Sequence, residues 1–171
     1  VLAGQTPLVE AMALIAASRG VVTEVWVAAG TYKPDRGVGI PPGDRTATFQ
    51  LLNGVALYGG FLGTETSLSQ RNIDANTTIL SGDLSGNDAP VACTQNSPDC
   101  DSFGSLCVNG FCIIKSNNSE NSHHVVTGSG TDATAVLDGF TITAGNADVV
   151  SFQTGSGMYN NNGSPTVTDC A

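Results

Sequence analysis

TFQLLNGVALYGGF, residues 48–61, places two short apolar runs on either side of an Asn-Gly turn signal and ends in a pair of glycines before its last residue. Each run has the length and the apolar content of a β-strand. The position of Val55 recurs 24 residues later as Ile79, and that of Ile142 recurs 25 residues later as Val167. Spacing of this kind predicts repeated units that stack and bury their apolar faces against one another.

Short predicted strands continue on both sides of this stretch. A β-sandwich would also give many short strands, but its hairpins favour two-residue turns between adjacent strands, so the coil-length spacing favours a wound parallel β-helix. The candidate strands are residues 25–28, 48–52, 55–58, 77–80, 123–127, 135–137, 140–143, 157–159 and 165–168.

Residues 5–20 predict an α-helix ahead of the first strand. Pro7 suits the first helical position. Leu8, Met12 and Ile15 fall on one stripe at helical spacing. We expect this stripe to cover an apolar sheet end, which would otherwise be an exposed edge.

Four segments carry a family resemblance: EVWVAAGTY (24–32), residues 48–61, GTETSLSQR (63–71) and LDGFTI (137–142). They resemble bacterial secreted and cell-surface proteins with pectin-lyase-like right-handed parallel β-helices, of the polymorphic outer-membrane type. The resemblance implies an all-β solenoid over residues 1–171, capped by the helix. It covers most of the chain outside residues 88–121, which are predicted to be an insertion. Because this fold hosts lyases, hydrolases and non-catalytic adhesins alike, it does not choose an activity.

The insertion is rich in cysteine and in turn residues, and we expect disulfides to staple it. Three pairings are open among its four cysteines. A zinc site is the alternative, but the spacing lacks a CxxC pair. Disulfides predict an extracellular or cell-surface location, and the partner of Cys170 stays open. The four cysteines are Cys93, Cys100, Cys107 and Cys112.

The chain is acidic, with 6 Lys and Arg against 15 Asp and Glu and a net charge of −9. This charge argues against nucleic acid as a partner, because phosphate binding needs clustered basic residues. No apolar run is long enough for a membrane span.

The run DLSGND, residues 83–88, is a candidate Ca²⁺ site. Asp83, Asn87 and Asp88 gather oxygen-bearing side chains around a glycine, as a hard cation requires. The alternative is that these side chains cap the backbone N–H groups of a turn.

Catalytic patterns are weak in this sequence. A polysaccharide lyase needs a base and a cation near the sugar, and a glycoside hydrolase needs two carboxylates. Asp83, Asp88, Asp138 and Asp169 lie near predicted turns, but no pair stands out. Arg71 is predicted to brace a loop through carbonyl groups.

The sequence therefore favours a non-catalytic structural or adhesive scaffold over an enzyme. Two partners are expected: further copies of the chain, through an open β edge near the C-terminus, or a polysaccharide. The alternative function is a polysaccharide lyase or glycoside hydrolase of the pectin-lyase-like fold.

Overall fold

The computed structural model describes residues 8–18, 20–92, 107–108, 111–148 and 154–171. Helix α1, Leu8–Ala17, lies inside the predicted range 5–20. Its Leu8 and Met12 side chains are buried, as the helical stripe predicted. One 3-10 turn spans Leu68–Gln70. The described strands are β1 (Glu24–Ala28), β2 (Gly30–Tyr32), β3 (Phe49–Gln50), β4 (Ala56–Phe61), β5 (Thr78–Ser81), β6 (Ala89–Ala92), β7 (Cys107–Val108), β8 (Phe111–Ser116), β9 (Val126–Thr127), β10 (Val136–Asp138), β11 (Thr141–Thr143), β12 (Met158–Tyr159) and β13 (Thr166–Thr168).

Ten of these strands form three parallel sheets, with strand orders β1-β4-β10-β13, β11-β5-β2 and β12-β9-β3. Neighbouring strands in each sheet come from distant parts of the chain. In the four-stranded sheet one register runs through Val25, Leu57, Leu137 and Val167. The predicted parallel pairing of distant segments is therefore present, and it aligns apolar residues across the sheet.

The prediction of an all-β, right-handed parallel β-helix is wrong. The described residues form one α-helix and three short parallel sheets, a small mixed α/β fold, and they show no closed solenoid. Leu8 and Met12 belong to the same core as the strands, so the helix is part of the packed interior. The strands of the β12-β9-β3 sheet are only two residues long, which is too little pairing to wind a continuous wall.

The predicted cysteine-rich insertion, residues 88–121, contains β-strands where the structure describes it. Its described part is an antiparallel sheet of order β6-β8-β7, in which Cys107 and Cys112 are backbone partners. No disulfide is found among the cysteine side chains that the structure describes, where Cys170 is a free thiol. Cys93 and Cys100 lie outside the described residues, so the pairing of these four cysteines stays a prediction.

The core joins the helix to all three parallel sheets. Aromatic and branched side chains fill it, and Phe49, Val27, Val125 and Leu137 are fully buried. Burial of a leucine- or phenylalanine-sized side chain contributes about 1.5–3 kcal/mol, so this cluster supplies the main driving force for folding. No described helix has the length and apolarity needed to cross a membrane.

Two glycines bring the ends of β4 and β10 together. A Cβ atom on Gly59 would collide with the carbonyl oxygen of Gly139. Gly139 has φ +80°, a left-handed conformation that favours glycine. The close approach places Asp138 beside the loop that follows β4.

Candidate functional site

The predicted metal residues lie in the loop between β5 and β6. Asp83 folds this loop around its own carboxylate. Its Oδ1 accepts hydrogen bonds from the backbone N–H groups of Gly86 at 2.5 Å and Asn87 at 3.1 Å, and its Oδ2 accepts one from Asp88 at 3.2 Å. Asp83 is therefore a turn cap, which was the alternative to its metal role. Asn87 is exposed.

The pKa of Asp83 is lowered overall. Burial raises the pKa, but the N–H groups of Asp88, Asn87 and Gly86 and the charge of Lys33 outweigh it. Hydrogen bonds to a carboxylate favour its ionised form, so the loop is held by a charged cap.

Two basic side chains bind this loop from the segment after β2. Lys33 Nζ donates to the carbonyl oxygen of Leu84 at 3.3 Å, and Arg36 Nη2 donates to the same oxygen at 2.9 Å. The Leu84 side chain is itself buried. These two basic side chains therefore hold one loop on another.

Asp88 contacts a residue that the sequence did not single out. Asn121 Nδ2 donates to Asp88 Oδ2 at 3.0 Å. Asn121 is 1% exposed, and the neighbouring Ser122 is fully buried. Three buried oxygen atoms here have no hydrogen-bond partner: Oδ1 of Asp88, Oδ1 of Asn121 and Oγ of Ser122. The sequence does not identify Asn121 and Ser122 as partners of Asp88. Asn121 lies 33 positions from Asp88, in a polar run typical of loops.

Arg45 braces a second group of loops. Its Nε donates to the carbonyl oxygen of Asn121 at 2.6 Å, and its Nη2 donates to Asn146 O at 3.1 Å and to Asp148 Oδ1 at 2.7 Å. His123 Nδ1 lies 3.8 Å from the same Asp148 oxygen. The group is a structural junction of three segments rather than an open acid–base pair.

Arg71 forms a third brace. Its Nη2 donates to both carboxylate oxygens of Asp138 at 2.9 Å, and its Nη1 lies 3.4 Å from the Asp138 carbonyl oxygen. The guanidinium also sits over the Tyr58 ring, 5.4 Å from its centroid. The predicted bracing role of Arg71 is confirmed, and Asp138 is its ion-pair partner.

The remaining acidic candidate, Asp169, borders a depression of about 270 Å³. Asp74 lies on the same rim, and no basic residue lines the depression. Both residues are exposed, so the two carboxylates share one solvent-facing environment. Glycoside hydrolysis needs two carboxylates in different environments, which this rim does not offer.

The described side chains form neither a metal-binding cluster nor an activated thiol. In the described ranges, no group of three or more His, Cys, Asp or Glu side chains is placed to hold a metal ion. Cys170 is a free thiol, partly buried, with its Sγ 3.7 Å from the Leu137 carbonyl oxygen. Burial raises the pKa of this thiol, which makes it a poor nucleophile.

The Asp83 cap predicts a pH-dependent stability. Because its folded pKa is depressed, its contribution is present above the unfolded value of about 3.9 and is lost as pH falls through the folded pKa. We expect the unaltered chain to be more stable than Asp83→Asn by about 1 kcal/mol at pH 6, the size of a cap interaction. The difference should shrink below about pH 4.

Urea unfolding of both proteins between pH 2 and pH 7 measures this difference, and the comparison cancels general charge repulsion. A stability difference that stays constant, or grows, at low pH would contradict the charged cap. Four more carboxylates have a lowered pKa through hydrogen bonds or ion pairs, and they add to the acid sensitivity of the whole chain: Asp44, Glu65, Asp132 and Asp148.

Comparison of the chain with protein-family models, with curated protein sequences and with solved structures found no match. The resemblance noted in the sequence stays a prediction. What the chain does must be inferred from its own residues.

Proposed function

We propose that the chain is a non-catalytic extracellular scaffold that associates with further copies of itself through a sheet edge. The proposal rests on the hydrogen bonds that the described Lys and Arg side chains make. Lys33, Arg36, Arg45 and Arg71 each donate to a backbone carbonyl group, in every case one at least 48 residues away in sequence. Because these side chains are hydrogen-bonded to distant backbone carbonyl groups, they hold loops in place and are not available to shuttle protons.

The surface of the chain supports the same role. The net charge of −9 keeps such a scaffold soluble and repels polyanions. The location outside the cell is proposed from the sequence, where four cysteines fall within residues 93–112.

Strand β13 supplies the proposed contact. It pairs with β10 on one side, and the described structure places no strand on its other side. Thr166 N donates to Ala135 O at 2.8 Å, and Thr168 O accepts from Gly139 N at 3.2 Å, so the polar groups of these two residues face β10. Since peptide groups alternate along a strand, the N–H and C=O groups of Val167 face the open edge. The Val167 side chain is 43% exposed.

Val167→Pro tests the contact at one atom. Proline removes the outward N–H group while leaving the bonds of the neighbouring threonines to β10. Sedimentation velocity over a range of concentrations should show assembly of the unaltered chain and of the control Val167→Thr. Val167→Pro should stay monomeric with a melting temperature within a few degrees of the control.

Two results would overturn the proposal. A monodisperse monomer of the unaltered chain at all concentrations would remove self-association. Depolymerisation of a neutral or acidic polysaccharide, abolished by replacing one residue, would replace the scaffold with the enzyme alternative.

A further inference from the structure

The unpartnered oxygens of Asp88, Asn121 and Ser122 form the strongest unexplained feature of the described structure. Asn121 is 1% exposed and Ser122 is fully buried. A buried polar atom without a partner costs about 1–3 kcal/mol, and more when it carries charge. Buried polar atoms in folded proteins are as a rule hydrogen-bonded or ligated, so three such atoms on two touching segments call for a binding partner.

The hydrogen bonds around these atoms fix their arrangement. Asn121 Nδ2 donates to Asp88 Oδ2 at 3.0 Å, which leaves Oδ1 of each side chain unpaired. Rotating the amide by half a turn would set its oxygen against a carboxylate oxygen, so its orientation is determined. The backbone N–H of Ser122 donates to the Gly82 carbonyl oxygen at 2.8 Å, which ties residues 121–122 to the start of the 83–88 loop.

Neutralisation by a nearby basic side chain does not account for these oxygens. Lys33 and Arg36 are both bound to the Leu84 carbonyl oxygen. Arg45 reaches Asn121 but donates to its backbone carbonyl oxygen. Carboxylate and amide oxygens only accept hydrogen bonds, so their binding partner must be a donor or a cation.

We propose that Asp88 Oδ1 and Asn121 Oδ1 are ligands of a Ca²⁺ ion, with the Ser122 hydroxyl as a third oxygen. Calcium accepts carboxylate, amide and hydroxyl oxygens together, whereas zinc prefers nitrogen and sulfur ligands. The site differs from the one expected from the sequence. Both carboxylate oxygens of Asp83 accept hydrogen bonds from backbone N–H groups, and Asn87 is exposed. This inference does not rest on the scaffold proposal.

One unshared carboxylate predicts weak binding. Extracellular Ca²⁺ modules of low ligand charge have a Kd on the order of 10⁻⁴–10⁻³ M. Mg²⁺ should bind at least about tenfold more weakly, because it demands a compact octahedral shell and gives up water reluctantly.

Isothermal titration of the chelator-stripped full chain with CaCl₂ alone is the first test. We expect one site in this affinity range and a melting temperature that rises with Ca²⁺. Absence of binding up to roughly 10 mM, ten times the weak end of the range, would overturn the proposal and assign the oxygens to buried water.

Variants locate the site. Asp88→Asn should lower the Ca²⁺ affinity by at least about tenfold, since it removes the charged ligand. Asp74→Asn, which removes an exposed carboxylate in another loop, should bind as the unaltered chain does. Asn121→Asp should bind Ca²⁺ more tightly and melt lower in chelator, because two adjacent carboxylates then repel each other without the ion.

Equal affinity in the unaltered chain and Asp88→Asn would place the ion elsewhere and overturn the assignment. If Asp88→Asn does not fold, the unaltered chain and Asn121→Asp still decide the question. An Asn121→Asp variant whose stability does not respond to Ca²⁺ would also contradict it.

Discussion

Replacing Leu137 with alanine is expected to lower the free energy of unfolding by about 3 kcal/mol. Leu137 is fully buried in β10, the strand between β4 and β13. Its neighbours in the register are Leu57 and Val167. Removing its side chain loses the transfer free energy of the deleted atoms and leaves a cavity, which packed strands on both sides cannot close fully.

Val167→Ala is the matched control, because Val167 lies in the same register but is 43% exposed. We expect it to cost less than about 1 kcal/mol. Urea unfolding, followed by circular dichroism, measures both variants, and an unchanged m-value shows that only stability has changed. Equal losses for the two variants would mean that Leu137 does not occupy the interior.

Replacing Arg71 with alanine is expected to cost about 3 kcal/mol of stability. The Arg71 and Asp138 side chains are only 18% and 14% exposed, so the aspartate left behind would be a largely buried charge without its partner. The variant also loses the contact of the guanidinium with the Tyr58 ring. The loss follows mainly from this unpaired charge rather than from the net strength of the pair.

Arg71→Lys should recover part of the loss, since lysine keeps the charge but lacks the fork that binds both carboxylate oxygens. A double-mutant cycle with Asp138→Ala isolates the coupling, which we expect at about 1–3 kcal/mol. Thermal or urea unfolding of the four proteins gives this coupling. A coupling near zero would show that the brace does not hold the loop after β4 to β10.

The sequence predicts the local elements of this chain better than their assembly. The apolar stripe of α1 and the strands around Val25 and Leu57 follow from periodicity alone, and the structure has them. Within the predicted strand 135–137, Val136 is only partly buried, whereas Leu137 is fully buried. Three consecutive apolar residues, 135–137, do not tell which one faces inward, because alternation carries no information when every position is apolar.

The prediction of a parallel β-helix was wrong for a different reason. A regular spacing of branched residues is satisfied by any parallel arrangement that aligns distant segments, and a closed solenoid is only one of these. Two observations show a small mixed fold instead: the core contains the helix residues Leu8 and Met12, and several strands are only two residues long. The spacing of branched residues along the sequence shows neither that the helix packs into the same core as the strands nor how long the strands are.

The candidate site shows the same limit. The sequence identifies Asp83 and Asp88 as a polar loop, but the partners that define their roles are distant. Asn121 lies 33 residues from Asp88, and Arg71 lies 67 residues from Asp138. Pairs of this kind are created by strand register, which a single sequence does not fix.

The parallel register of the four-stranded sheet underlies both the scaffold proposal and the stability predictions, and interstrand nuclear Overhauser effects measure it most directly. We predict backbone contacts between the partners Val25 and Leu57, and between Leu57 and Leu137, in the pattern of parallel strands. Contacts of an antiparallel hairpin between these segments, or no contact between β4 and β10, would contradict the account.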